Sequence, residues 1–177
     1  MAGPLDEHLT VSRLDHADAY DVHVIQADAR TWHHSPSARP TDIADTEAMI
    51  VRSEESWAKH GHGLWVVRAD ETVIGVAGAT MTELGVWNLY YRFSPESGGR
   101  GYASIVAAQA VNAARLHDPD SPIIARILEN NPRSAAVAVR AGLSLQWQGS
   151  VGRTSDRLLF ADRDLPQELI ARLSALG

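Results

Sequence analysis

The segment SGGRGYAS carries the residues of this chain best suited to holding an anion: Gly98, Gly99 and Gly101, with Arg100 between them and Ser104 after them. Glycine loses more conformational entropy on folding than any other residue, so a glycine cluster indicates an unusual backbone turn or the close approach of a ligand. An alanine-rich helical pattern follows. Free N–H groups at a helix start, together with the positive end of the helix dipole, bind phosphate oxygens. The spacing therefore predicts either a phosphate cradle or a connector that only turns a tight corner.

Two common phosphate-binding motifs fit this segment poorly. A nucleoside-triphosphate loop ends in Gly-Lys-Ser/Thr, and the segment has no lysine. A dinucleotide-binding turn reads Gly-x-Gly-x-x-Gly, whereas Ser104 stands at the place of the third glycine. Glu129 ends the next predicted strand but lies further along the chain than a ribose-binding acid usually does. These departures weaken the dinucleotide-binding interpretation, which stays open as an alternative that NAD binding would support.

The elements that position these residues can be read from hydrophobic periodicity and turn signals. The predicted strands are 8–14, 64–69, 72–80, 86–93 and 122–129, followed by the segments LSLQWQG and RLLFADR. The first predicted helix begins after Asp15. Further helices are predicted over 41–60, 101–116 and 130–142, and a last one in PQELIARLSAL. The order is an antiparallel block followed by a βαβ crossover, which predicts a mixed α/β fold.

Residue types at two helices give more specific expectations. In the first helix, Tyr20, Val24 and Ala27 are spaced as one apolar face, which we expect to be buried. In NNPRSAAVAVRAG, Asn131 is suited to the N-cap, Pro132 to the first helical position, and the glycine at its end to the C-terminal stop. The same asparagine is therefore a candidate for both a structural and a ligand-binding role.

The composition limits the function. The 177 residues are 45% hydrophobic and 21% charged, which predicts a single domain over 1–177. The absence of cysteine excludes disulfides, thiolate metal sites and a cysteine nucleophile. The net charge of −6 argues against a nucleic-acid partner and suits an amine substrate. Because no apolar run reaches about 18 residues and no signal-peptide pattern is present, we expect a soluble cytoplasmic protein with no membrane partner.

At this point the two motifs resemble a known family. GGRGYAS, entering a helix after a strand that ends in LYYRFSPE, resembles the acetyl-CoA pyrophosphate loop of the GNAT N-acetyltransferases. NNPRSAAVAVRAGL is similar to that family's Asn-x-x-Ser helix, and the resemblance extends over nearly the whole chain. The branch with the most similar motifs contains the ribosomal-protein N-terminal acetyltransferases. The resemblance implies a GNAT-like fold: a central, mostly antiparallel sheet with a βαβ crossover, a splayed strand pair and helices on both faces.

The resemblance also implies a cofactor site for acetyl-CoA and no metal. The pantetheine arm is expected to pair with the strand 86–93, and the pyrophosphate to lie on the glycine loop. The cofactor-binding residues that this implies are Leu89, Tyr90, Tyr91, Phe93, Gly98, Gly99, Arg100, Gly101, Tyr102, Ala103, Ser104 and Asn131. Gly98 stands where the family usually has Arg, Gln or a bulky residue, and Ile105 where the nearest branch often has glutamate.

The implied reaction is direct attack of a primary amine, from a protein N-terminus or a small molecule, on the acetyl group in a ternary complex. Many relatives have a proton-donating tyrosine where this chain has Ala138, and the resemblance implies that Ser134 serves instead. Glu83 is a candidate base, as are His33 and His34, because a histidine titrates near neutral pH. A chain of ordered waters is an alternative base.

The adjacent histidines alone do not predict a metal site, because no further ligand follows at suitable spacing. Trp32 and His33, in the predicted loop 32–42, are the candidate acceptor-binding residues. The absence of the usual tyrosine keeps a second function open, a non-catalytic acyl-CoA-binding module of the same fold. A homodimer is common in such folds.

Overall fold

The computed structural model describes residues 4–6, 8–151 and 155–176. Within these residues the chain forms eight strands, which are β1 (Pro4–Asp6), β2 (Leu9–Arg13), β3 (Leu64–Ala69), β4 (Thr72–Met81), β5 (Trp87–Phe93), β6 (Ile123–Leu128), β7 (Ser144–Val151) and β8 (Ser155–Ala161). The α-helices of this part of the chain are α1 (Ala19–Gln26), α2 (Ile43–His60), α3 (Tyr102–His117), α4 (Pro132–Arg140) and α5 (Gln167–Ala175). None of these helices is both long and apolar enough to cross a bilayer.

The strands form one sheet in the order β1-β2-β3-β4-β5-β6-β8-β7. Neighbouring strands are antiparallel except β5 and β6, which are parallel and are joined through α3. Buried side chains of α1 and α2 pack on one face of the sheet, and those of α3 and α4 pack on the other. The predicted mixed fold, crossover and helices on both faces are therefore confirmed, whereas β1 and four short 3-10 turns in the described chain were not predicted.

The predicted buried face of α1 is wrong. Tyr20 is 72% exposed and Val24 is 57% exposed. The buried apolar side chains of this helix are Ala19, Val22 and Ile25, which pack under α2. Apolar residues lie on two faces of this helix, so periodicity does not select one. Contact with α2 and the sheet makes that selection.

Helix α3 approaches the sheet closely because its inward face is made of small side chains. Val106, Ala107, Ala110 and Ala114 are fully buried. They pack against β4 and β5, and all belong to the larger core cluster. This packing fixes the start of α3, and with it the glycine loop, at the end of β5.

Strands β5 and β6 pair only at their beginnings. Trp87 lies opposite Ile123, and Asn88 lies opposite Ile124, with no further pair along the described strands. Beyond this point β5 stays paired with β4 as far as Phe93, and β6 stays paired with β8. The two inner edges therefore diverge, and the predicted splayed strand pair is confirmed.

A buried histidine lies in the core beside β5. His62 is 4% exposed, and the rings of Trp57, Trp65 and Trp87 stand edge-on to it at 5.3 to 5.4 Å between centroids. His117 stacks on it at 6.2 Å. Its Nε2 meets no hydrogen-bond partner in the described chain. Burial, with a smaller contribution from His117, lowers the pKa of His62 to about 4, so the ring is neutral at pH 7.

We predict that His62 makes the fold sensitive to acid. The folded state binds the proton less readily than the unfolded chain, whose histidine pKa is about 6.5, so the free energy of unfolding falls as the pH drops from about 6.5 to about 4. The loss expected from this residue is roughly 2–3 kcal/mol, measured by urea unfolding at several pH values. His62→Phe keeps an aromatic ring without the titration and should lose distinctly less stability over the same pH range. Parallel losses in both proteins would contradict the prediction.

Candidate active site

The divergence of β5 from β6 opens a cleft of about 560 Å³. One wall is β5 from Leu89 to Phe93, and the other is β6 from Ala125 to Leu128 with the first turns of α4. The predicted site residues that line it are Trp32, His33, Leu89, Tyr90, Tyr91, Phe93, Gly98, Ala103, Asn131 and Ser134. The structure thus brings the glycine-loop entrance, the splayed strand and the Asn-x-x-Ser helix to one cavity.

The glycine loop has the backbone that only glycine adopts readily. Gly99 and Gly101 both have φ of +79°, in the left-handed region, and no atom lies within 4 Å of where a Cβ would stand on either. Gly98 differs, because its backbone is extended and a Cβ there would lie 2.9 Å from the carbonyl oxygen of Pro95. A bulky residue at this position would therefore displace the turn, which is a local reason for the departure from the family pattern.

The loop also presents backbone donors. The N–H groups of Ser104 and Ile105 bond to the carbonyl of Gly101 at 3.0 and 3.2 Å. In the described part of the chain, those of residues 99–103 meet no acceptor, and α3 has no side-chain N-cap. Unpaired donors at a helix start, with open space above the glycines, are what an anion cradle requires. Tyr102 is an exception among the predicted contacts, because its side chain packs against the core.

Alternation along β5 divides its side chains between two sides of the sheet. Leu89, Tyr91 and Phe93 join the core cluster that includes α3 and α4. Tyr90 instead packs with the cluster of α1 and α2, and its hydroxyl donates to Gln26 Oε1 at 2.9 Å. Arg92 lies on the same side, so neighbouring residues of one strand serve two different surfaces.

Trp32 is fixed at the boundary between these surfaces. Its Nε1 donates to the carbonyl of Gln26 at 2.6 Å, and the guanidinium of Arg92 lies 3.7 Å from its ring centroid. Arg92 also donates to the backbone oxygen and hydroxyl of Thr31 at 3.1 and 3.0 Å. These contacts hold a loop that would otherwise have few constraints.

A second cavity of about 880 Å³ lies on the opposite side, between α2, residues 37–40 and the ends of β4 and β5. Trp32, Ala38 and Tyr90 line both cavities, so the two meet there. Glu83 lines this second cavity and is not among the residues of the cleft. The charged side chains of the second cavity are Arg39, Asp45, Arg52, Glu55, Lys59 and Glu83, and none forms a salt bridge within the described residues.

Residues 29–38 cross the mouth of the cleft and contact both of its sides. Arg30 forms an ion pair with Glu96, next to the glycine loop, at 2.6 Å. Asn130 Nδ2, at the end of β6, donates to the carbonyl of His34 at 3.1 Å. Both histidines of this segment line the cleft, whereas neither lines the second cavity. Burial, Arg92 and His33 lower the pKa of His34.

Helix α4 starts as the sequence predicts and carries the candidate acid. Asn131 caps it, since its Oδ1 accepts the N–H of Ser134 at 3.2 Å. Tyr91 crosses from β5, and its hydroxyl lies 2.9 Å from Ser134 Oγ and 2.8 Å from the Ser134 carbonyl oxygen. Burial raises the pKa of Tyr91 to about 12, against a smaller opposite effect of Ser134. Ala138, one turn further, is fully buried.

The sequence did not reveal the contact between Tyr91 and Ser134. The strand position of Tyr91 implies a cofactor contact, and the two residues are 43 positions apart. The alternation of β5 could have placed Tyr91 on the side of α4, but not its hydroxyl against one particular serine. Across the described residues, no three His, Asp or Glu side chains form a group that could hold a metal ion.

Comparison with solved structures gives the fold an independent reference. An acetyltransferase from Agrobacterium tumefaciens is 24% identical, with a TM-score of 0.76 over 93% of this chain and 95% of that one. A Salmonella typhimurium acetyl transferase that modifies the N-terminal serine of ribosomal protein L7/L12 is 15% identical, with a TM-score of 0.76 over 94% and 100%. The microcin C7 self-immunity acetyltransferase MccE, solved with acetyl-CoA and AMP, is 12% identical, with a TM-score of 0.72 over 91% and 94%.

Sequence comparison gives the family. No curated protein matches the chain. The family model described as an acetyltransferase (GNAT) domain matches residues 8–144, which include β5, the glycine loop and all of α4. The match therefore covers both motifs and the cleft between them, and the chain belongs to the GNAT acetyltransferase family.

Proposed function

We propose that residues 1–177 form one acetyl-CoA-dependent N-acetyltransferase domain, which moves an acetyl group to a primary amine by direct attack in a ternary complex. The observation that carries this proposal is the meeting of two cavities at Tyr90 and Trp32. One cavity has a splayed strand edge and an anion cradle, and the other is wide and lined with charged side chains. Direct transfer needs two substrates bound side by side, and positioning them supplies much of the rate.

The residues of the cleft and of the adjoining glycine loop fit the cofactor. Open space at Gly99 and Gly101, with unpaired N–H groups beside it, suits a pyrophosphate. The inner edge of β5 beyond Asn88 has no strand partner among the described residues, which suits the amides of a pantetheine arm. When bound, acetyl-CoA supplies an acetyl group on a thioester. A backbone N–H of Leu89 or Tyr90 would stabilise negative charge on the carbonyl oxygen.

The remaining roles concern protons. Ser134 faces the cleft and would donate a proton to the departing sulfur. Glu83 lies in the second cavity, where a carboxylate could accept the proton of the amine. His33 and His34 line the cofactor cleft, which makes Glu83 the better candidate base of the three. Burial, Arg92 and His33 lower the pKa of His34, which favours the neutral form of that ring.

The acceptor is proposed as a protein N-terminus or a small amine. The second cavity is larger than the cofactor cleft, and its lining combines three basic with three acidic side chains. Such a lining suits an acceptor that carries charges of both signs besides its amine. The similar Salmonella protein, which modifies an N-terminal serine, supports a peptide as the first acceptor to test. A homodimer remains a prediction.

We predict that acetyl-CoA stabilises the protein. A ligand that binds only the folded state, at a hundred times its Kd, adds about 2.7 kcal/mol, which is roughly 5–10 °C in Tm for a chain of this size. Thermal melts with acetyl-CoA, CoA and NAD measure this, and a thiol-release assay with an amine and peptide panel follows. A shift with NAD alone would sink the proposal. A CoA-dependent shift without thiol release from any acceptor would favour the non-catalytic module.

We predict that the glycine loop binds the cofactor through Gly101. Gly101→Ala places a methyl group in the open space of the cradle and should weaken acetyl-CoA binding about tenfold, or roughly 1.4 kcal/mol, in a calorimetric titration. Gly85→Ala is a matched control, because Gly85 has φ of +72° and equally open surroundings in the turn between β4 and β5. Both variants should lose about 1 kcal/mol of stability. Equal Kd values for the two variants would argue against the cradle.

We predict that Glu83 accepts the proton of the amine. Glu83→Gln removes the basic oxygen with little change of shape, so kcat should fall about 100-fold while acetyl-CoA still binds. Steady-state kinetics with a peptide acceptor measure this. Glu55→Gln is the control, because Glu55 lines the same cavity from α2. A higher KM for the acceptor with unchanged kcat would assign Glu83 to binding instead.

A further inference from the structure

We propose that Tyr91 is a positioning residue for the transfer: its hydroxyl hydrogen-bonds to Ser134 and directs the serine proton toward the departing sulfur. This inference rests on the proposed function and gives the hydroxyl of Tyr91 a role beyond the cofactor contact that its strand position implies. It is carried by the contact between the two hydroxyls, which come from opposite walls of the cleft.

The contact allows two arrangements of the same heavy atoms. Tyr91 Oη lies 2.8 Å from the Ser134 carbonyl oxygen and 2.9 Å from Ser134 Oγ, so its single proton can point to either. When it points to the carbonyl, the proton of Ser134 can point to Tyr91 Oη. When it points to Oγ, the proton of Ser134 is free to turn into the cleft. Rotation of two hydrogens, without movement of a side chain, therefore switches Ser134 between a resting and a donating state.

Tyr91 stays protonated in this position. Burial raises its pKa to about 12, so at neutral pH the phenol is a donor and not an anion. The ring packs with the core cluster, and the helix that carries Ser134 is fixed by its Asn131 cap. Both hydroxyls are thus held by rigid elements, and a donor that points at Ser134 Oγ strengthens the bond that Oγ–H makes in turn.

The proton balance of the step is simple. The nitrogen–carbon bond forms as the carbon–sulfur bond breaks, and the sulfur leaves with an electron pair. Ser134 gives its proton to that sulfur while Tyr91 donates its hydrogen bond to Ser134 Oγ, which carries the negative charge. The proton released by the amine nitrogen passes to the base and solvent, and Ser134 regains one proton from solvent. No net proton is gained or lost by the protein.

Other tyrosines of the site are not placed for this role. The hydroxyl of Tyr90 is engaged by Gln26 and Arg92 on the other side of the sheet. Tyr102 packs against the core at the start of α3. Ala138 is fully buried one turn after Ser134 and offers no hydroxyl. Among the described residues of the cleft, Tyr91 of β5 is therefore the tyrosine whose hydroxyl lies against α4.

The test is kinetic and uses the full chain with acetyl-CoA and an acceptor that the parent protein acetylates. Tyr91→Phe keeps the ring and removes the hydroxyl. We expect kcat to fall about tenfold or more, with the KM of acetyl-CoA and the Kd of CoA unchanged. Ser134→Ala should lower kcat at least as much. The double variant should resemble Ser134→Ala alone, because the two hydroxyls act as one unit.

Tyr20→Phe is the matched control, since Tyr20 is exposed on α1 and should keep the parent kcat. Thermal melts of each variant detect a general loss of structure. A kcat for Tyr91→Phe within twofold of the parent, or losses that multiply in the double variant, would overturn the inference. A loss of kcat/KM that comes from a raised KM for acetyl-CoA would also overturn it, because Tyr91 would then act by packing against the cofactor. If the parent protein itself acetylates no amine, the proposed function fails, and this inference fails with it.

Discussion

The site depends on one constraint, which is that β5 and β6 share only their first residue pairs. Each strand keeps its outer partner, so the gap between them cannot close by sliding. The backbone groups of β5 that face the gap are left for another partner. Because a parallel pair needs a crossover connection, α3 must span the same gap, and its first turn is brought to the mouth of the cleft.

Alternation of side chains along β5 then gives the two cavities different chemistry. Tyr91 and its neighbours two positions away face the core and α4, where burial makes the phenol of Tyr91 a weaker acid than a free tyrosine. Tyr90 reaches the wide, charged cavity, and Arg92, on the same side of the sheet, holds Trp32 at the boundary. One strand therefore lies between the proposed cofactor side and the proposed acceptor side, and the two cavities meet where Trp32, Ala38 and Tyr90 line both.

The segment 29–38 completes the enclosure with two short 3-10 turns, Ala29–Thr31 and Pro36–Ala38, as its regular structure. Its contacts with Glu96 on one side and Asn130 on the other bridge the two walls of the cleft. These are exposed contacts, which contribute less stability than the core beneath. The segment is thus held to the rest of the site by hydrogen bonds, an ion pair and the contact of Trp32 with Arg92, whereas α3, α4 and β5 are held by buried packing.

By itself, the sequence determined the order of the α-helices and of the strands from β2 onward, the glycine loop, the cap at Asn131 and the family, because turn residues, caps and short-range periodicity are local properties. It could not choose the buried face of α1, since two apolar faces compete until α2 is in place. Nor could it assign Glu83 to a different cavity from Ser134, or bring the hydroxyl of Tyr91 to that serine. Those relations join residues far apart in the chain, and only the packing of helices on a splayed sheet fixes their distances.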